Sequence, residues 1–210
     1  RDSSLSVAQG NPLGNSLEKG EFPLVGRVEP RLESVRVVEE SLGAIVAGWS
    51  ERYLKPLMDW QLRVVDGMLQ HRDGELVHRE ALISTARQQG KSVLLKALAG
   101  AWVTEIARLR GEPQTILMVA NKLDRSSAMF RDLAPILEML GGKAFWSYGR
   151  EEIRMPDGSI LKIAAAVPNQ HGASVDLLLV DELWSISPAV MFDALRPTMI
   201  ARPNPLGAYF

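Results

Sequence analysis

Residues 82–100 read "LISTARQQGKSVLLKALAG", and this stretch decides the fold. A short apolar strand signal runs into a polar loop, and the loop opens a long helical pattern at Gly90-Lys91-Ser92. Strand, tight loop, Gly-Lys-Ser and helix together frame a phosphate-binding loop. The loop's backbone N–H groups and the open helix N-terminus can surround phosphate oxygens. In that frame Lys91 reaches the β- and γ-phosphates and the Ser92 hydroxyl ligates Mg²⁺. Gly90 lets the backbone pass close to the ligand. One part departs from the usual pattern, G-x-x-x-x-G-K-[ST]: Thr85 stands where a glycine is expected, with Arg87-Gln88-Gln89 inside the loop.

A phosphate loop needs an acidic partner, and "LLLVDE" at 177–182 supplies one. Four apolar residues read as a strand buried on both faces, and Asp181 and Glu182 follow at its end. An aspartate there can organise a magnesium shell, and the adjacent glutamate can polarise an attacking water. The pair lies about 90 residues beyond Gly-Lys-Ser, and the two motifs together point to hydrolysis of ATP. "ANKLD" at 120–124 imitates the guanine-reading N-K-x-D with Asn121, Lys122 and Asp124. It precedes the acidic pair, however, and Asp181-Glu182-Leu183-Trp184 is not D-x-x-G, so the order does not fit a GTPase.

Around these motifs the chain alternates strands and helices. "EALIS", "TILMVA", "VDLLLV" and "GAYF" read as strands. Residues 93–110 and 125–140 read as helices, closed by Gly111 and by Gly141-Gly142. "RDGE" at 72–75 and Pro156-Asp157-Gly158 mark turns, the latter within a hairpin. Helical spacing predicts helices from Leu32 to about Trp49 and from Asp59 to Gln70, and Ser187-Pro188 opens one to about Ala201. Residues 1–30 read as an irregular arm and residues 31–210 as one α/β domain, a mostly parallel sheet flanked by helices. Its site is expected at the C-terminal ends of the strands.

Composition narrows the function. The 210 residues carry a formal net charge of −1, so any polyanion must be held by a local patch. Cysteine is absent, which removes disulfides, thiol nucleophiles and zinc–thiolate sites. No apolar run approaches the ~18 residues of a membrane span.

Arg87-Gln88-Gln89-Gly90-Lys91-Ser92, taken with "LLLVDELW" at 177–184, resembles the large terminase subunit of tailed bacteriophages, in its ATPase domain. That family's Walker A lacks the first glycine and carries an arginine, which accounts for Thr85 and Arg87. The resemblance covers roughly residues 55–210 and implies a P-loop NTPase of the additional-strand type. It implies that Gln88, Gln89, Gly90, Lys91 and Ser92 bind ATP, that Ser92 and Asp181 hold Mg²⁺, and that Glu182 is the catalytic carboxylate. Arg87 is expected over the γ-phosphate, as a catalytic cis arginine or a coupling sensor. "MDWQLRVVDGML" at 58–69 matches the segment that places an aromatic-Gln pair at adenine, so Gln61 is expected to read the base beside Trp60. "PNQHGASVD" at 168–176 resembles the lead into the Walker-B strand, with His171 a loop residue. Four arginines, Arg125, Arg131, Arg154 and Arg196, remain open as the one donated to a neighbouring subunit.

The resemblance further implies a motor that packages double-stranded DNA, a homo-oligomeric ring, and portal and small-terminase partners. It implies work in the cytoplasm of an infected bacterium and transiently at the procapsid portal. The family's coupling motif and its C-terminal nuclease domain are expected beyond Phe210, so the domain reads as truncated. The alternative is a helicase-like or DNA-repair ATPase, which a second RecA-like domain would mark.

Overall fold

The computed structural model describes residues 5–7, 30, 32–86, 88–121, 123–147, 151–167 and 174–210. Most of the expected arm lies outside them. Strands β1 (Leu5–Val7) and β2 (Leu32–Ser34) pair as an antiparallel ribbon. Helices α1 (Gly43–Tyr53) and α2 (Asp59–Met68) follow. A small hairpin, β3 (His71–Arg72) and β4 (Glu75–Leu76), turns through Asp73 and Gly74 at φ 53° and 83°. Both turn residues are left-handed, as a two-residue hairpin loop demands.

The nucleotide-site frame comes next. Strand β5 (Glu80–Leu82) leads to α3 (Lys91–Ala101), which continues through a π-helical turn, Trp102–Ile106, into α4 (Ala107–Arg110). Gly111, at φ 68°, ends that run in the left-handed cap that glycine favours. Then come β6 (Thr115–Ala120), α5 (Leu123–Met139), β7 (Lys143–Phe145), β8 (Glu152–Arg154) and β9 (Ile160–Ala165). Strand β10 (Leu177–Asp181), a run of π and 3₁₀ turns over Val190–Met199, and β11 (Leu206–Tyr209) complete the chain.

Seven strands form the main sheet in the order β5-β11-β10-β6-β9-β8-β7. The first five are mutually parallel, and β8 and β7 add an antiparallel edge. Strand β11 enters between β5 and β10, so an additional strand separates the phosphate-loop strand from the acidic strand. The expected fold, a mostly parallel α/β P-loop NTPase of the additional-strand type, is the one observed.

Alternation along the central strands builds two cores. Ile116, Met118, Leu177, Leu179, Leu206 and Ala208 face α1, α2, α3 and α5. Leu117, Val119, Leu178, Val180 and Tyr209 face the turns after β10, through Ile186, Met191, Leu195 and Met199. Burying each Leu-sized side chain contributes about 1.5–3 kcal/mol, which is why β6 and β10 are apolar on both faces.

Three expectations change. The helix predicted from Leu32 begins only at Gly43. The β-branched stretch before it is neither helix nor strand, and the Gln70 side chain accepts the N–H groups of Val37 and Val38 at 2.8 and 3.1 Å. The segment opened by Ser187-Pro188 is helical but not regular α-helix. Pro197 brings no N–H to an i−4 bond, and the chain tightens into 3₁₀ geometry there. Strand β7 carries no sequence signal of its own and forms because β8 offers it an edge.

Helix α3 approaches α1 at Gly100, where an added Cβ would lie 2.1 Å from the ring of buried Trp49. Gly100→Ala gains about 1 kcal/mol of helix propensity, yet overpacking costs roughly 1–3 kcal/mol. Urea denaturation is expected to show net destabilisation; a stabilised variant would mean that the α1–α3 contact is looser than described.

Candidate functional site

The site is set by how the parallel strands end. Leu82, Tyr209, Val180, Val119 and Ala164 are successive neighbours across β5, β11, β10, β6 and β9. Adjacent strands lie ~4.8 Å apart, so β5 and β10 stand roughly 10 Å apart with β11 between them. Side chains of β10 alternate, with Leu177 and Leu179 on the α3 side and Leu178 and Val180 on the other. The same period puts Asp181 on the α3 side, at the end where β5 hands over to the loop. Helix α3 starts at that end and contacts β10. Lys91, Ser92 and Asp181 therefore share one face and one rim of the sheet. Asp181 is 9% exposed, Lys91 is half-buried, and Gln88, Gln89 and Ser92 are exposed.

Both rim loops carry left-handed residues. Among the described residues three non-glycine positions have positive φ: Asp73 in the small hairpin, Gln88 at 60° and Glu182 at 56°. The last two flank the proposed phosphate position, and such a conformation costs of order 1–3 kcal/mol and persists only where the surroundings impose it. Around Glu182 the surroundings do so. The N–H of Leu183 donates to Phe210 O at 2.8 Å, and that of Phe210 donates to Val180 O at 2.9 Å. Glu182 O accepts from the backbone and the hydroxyl of Ser185 at 2.8 and 2.7 Å. Gly90 caps α3 at φ 83°, and an added Cβ would meet Met58 Cε at 2.6 Å and Gln61 Nε2 at 3.0 Å. Only glycine fits there.

Gln61, the expected base reader, lies inside the fold. It sits in the first turn of α2, 0% exposed. Its Oε1 accepts the Met58 N–H at 2.8 Å and its Nε2 donates to Gly90 O at 2.8 Å. Both ends of this fully buried amide are therefore engaged by backbone. Trp60 packs half-buried against the main core. Asn121 is exposed one residue beyond Ala120, the neighbour of Asp181, at the same rim.

Arg87, Lys122 and His171, and the side chain of Arg125, lie outside the described residues. Of the other open arginines, Arg131 bonds Ser127 O and Arg154 pairs with Glu152. Arg196 is held by Glu80, its Nε 2.6 Å and Nη2 2.8 Å from the carboxylate. Tyr209 donates to the same carboxylate at 2.9 Å. Burial, then the Glu80 charge, pushes the Tyr209 phenol up beyond its ordinary range, so it stays a donor. This bracket joins β5, β11 and the turns after the acidic strand. Sequence reasoning missed it, because Glu80 and Arg196 stand 116 residues apart with no motif between them.

No protein-family model matches the chain, and no curated protein sequence does. Solved structures do match. The HK97 bacteriophage large terminase aligns at TM-score 0.64 and 19% identity, over 81% of this chain and 37% of that one. The ATPase domain of the Thermus phage P74-26 large terminase aligns at TM-score 0.52 and 17% identity, over 83% of this chain and 70% of that one. The chain thus has the fold of a large-terminase ATPase domain and spans 37% of the length of the HK97 protein.

Tyr209→Phe removes one bond to a charged acceptor while Glu80 keeps Arg196. A loss of roughly 1–2 kcal/mol is expected in chemical denaturation. An unchanged midpoint would mean that the bracket contributes no stability.

Proposed function

We propose that this chain is the ATP-hydrolysing motor domain of a terminase-type DNA translocase. The observation that carries the reading is the shared rim: the start of α3, with glycine-capped Lys91 and Ser92, and Asp181 at the end of β10 lie on one face of the sheet. The first N–H groups of α3 and its dipole favour an anion there, and Lys91 adds a full positive charge. Exposed Gln88 and Gln89 border the same loop, and Arg87 is assigned to the γ-phosphate.

The donor set suits magnesium. Among the described residues no group of three His, Asp or Glu could hold an ion by itself. Magnesium in phosphoryl-transfer sites takes one or two protein ligands and completes its shell with phosphates and water. Ser92 and Asp181 would be such ligands, and the ion they would hold would supply neutralisation of phosphate charge. Glu182 then orients water for in-line attack. The water oxygen bonds to the γ-phosphorus, the bridging P–O bond breaks, and ADP leaves with the electron pair while Glu182 receives the water's proton.

The wider assignment is a proposal for the whole protein: a homo-oligomeric ring acting on double-stranded DNA, with portal and small-terminase partners and a nuclease activity. It places the motor in the host cytoplasm and, during packaging, at the portal. No helix among the described residues is long and apolar enough to cross a membrane.

Lys91→Ala removes the charge-assisted phosphate contacts. It is expected to weaken Mg·ATP binding by about two orders of magnitude in calorimetry. Glu182→Gln is expected to bind ATP normally and to turn over about 10²–10⁴-fold more slowly in the full-length protein. Normal turnover by Glu182→Gln would remove the catalytic assignment, and ATP binding unchanged in Lys91→Ala would remove the site.

A further inference from the structure

Gln61 has a place in the site that no motif assigns to it. Its amide bridges two backbones: Oε1 accepts from Met58 at the start of α2, and Nε2 donates to Gly90 O at the start of α3. The first bond is half of a capping box, the third residue of α2 reaching back to the residue before it. It also fixes which end of the amide faces Gly90. The second bond crosses to the phosphate loop. Gly90 O already accepts the N–H groups of Val93 at 3.0 Å and Leu94 at 3.5 Å, so the Gln61 amide is the third donor on this carbonyl.

A held carbonyl also orients the other half of its peptide. The Gly90–Lys91 bond is trans, since the chain has no cis peptide among the described residues. In a planar trans peptide, C=O and N–H point in opposite directions. Drawing Gly90 O toward Gln61 and the helix interior turns the Lys91 N–H outward from the N-terminus of α3, where an anion sits. Met58 Cε packs over Gly90 in the space that a Cβ would take.

We infer that Gln61 is a positioning residue for the phosphates, acting through the Gly90–Lys91 peptide, and that it does not read the base. The inference rests on the nucleotide-binding reading of the site, and it assigns to triphosphate recognition a residue whose sequence context suggested adenine.

Calorimetry with Mg·ATP and with magnesium tripolyphosphate, which has no base or sugar, separates the two roles. Gln61→Glu keeps the acceptor for Met58 but, ionised, loses the donor to Gly90. Gln61→Met keeps the volume and loses both bonds. Each variant is expected to weaken ATP and tripolyphosphate by the same factor, about tenfold. A role in folding alone would lower the melting temperature and leave the folded chain's tripolyphosphate affinity unchanged, which would overturn the inference. Weaker ATP binding with unchanged tripolyphosphate binding would overturn it in favour of base reading. The wild type supplies a readout that needs no variant: the Gln61 side-chain amide resonances should move alike with both ligands. A shift with ATP alone would again mean base reading. Wild-type chain that binds neither ligand would overturn the nucleotide site itself, and this inference with it.

Discussion

The parallel register that runs from Leu82 through Tyr209 to Val180 is the constraint that the rest of the structure obeys. A parallel strand cannot return by a tight hairpin, so crossovers separate β5, β10 and β11 along the chain, and all three end at the same rim. Burial on both faces demands apolar side chains up to that rim. The first polar residues of these segments therefore come at that rim. Asp181 follows Val180 for that reason, and the polar loop to Lys91 follows Ile83 for the same one. Strand β11 is essential to the geometry. It bonds to both neighbours, Tyr209 O accepting the Ile83 N–H and the Phe210 N–H donating to Val180 O, and so fixes the distance between the two loops.

Local backbone strain collects at this rim. Gln88 and Glu182 adopt left-handed conformations that a non-glycine residue adopts at a cost, and each lies in one of the two loops that meet the proposed phosphates. The bonds that hold Glu182 come from Phe210 and Ser185, outside the acidic pair itself. The bond that steadies the other loop comes from Gln61, on α2. Two elements with no phosphate ligand of their own therefore shape the site. The Glu80–Tyr209–Arg196 bracket has the same character, joining β5 to the turns after β10 on the face opposite α3.

Much of this was legible in the chain because the signals are local. Gly90-Lys91-Ser92 before a helical period, and four apolar residues before Asp181-Glu182, each need only a short window to be read. The Asp73-Gly74 and Asp157-Gly158 turns are likewise written in their own residues. What was not legible depends on partners distant in sequence. Residues 35–42 hold enough apolar positions to imitate a helix, but the Gln70 amide takes the N–H groups of Val37 and Val38. Gln61 reads as a polar residue beside an aromatic, and only the folded chain shows its amide turned inward to Gly90. The fold is the terminase ATPase fold even though only 19% of aligned residues are identical to the HK97 protein, because the constraint lies in pattern and register more than in identity.

The loop at 83–92 and the acidic end of β10 should respond to nucleotide as one site. Amide hydrogen exchange, measured across the chain with and without Mg·ATP, reads this. Nucleotide is expected to slow exchange in both segments together, at the same ligand concentration. Protection of the loop at 83–92 with residues 181–183 unchanged, or no protection in either, would mean that the two do not form one site.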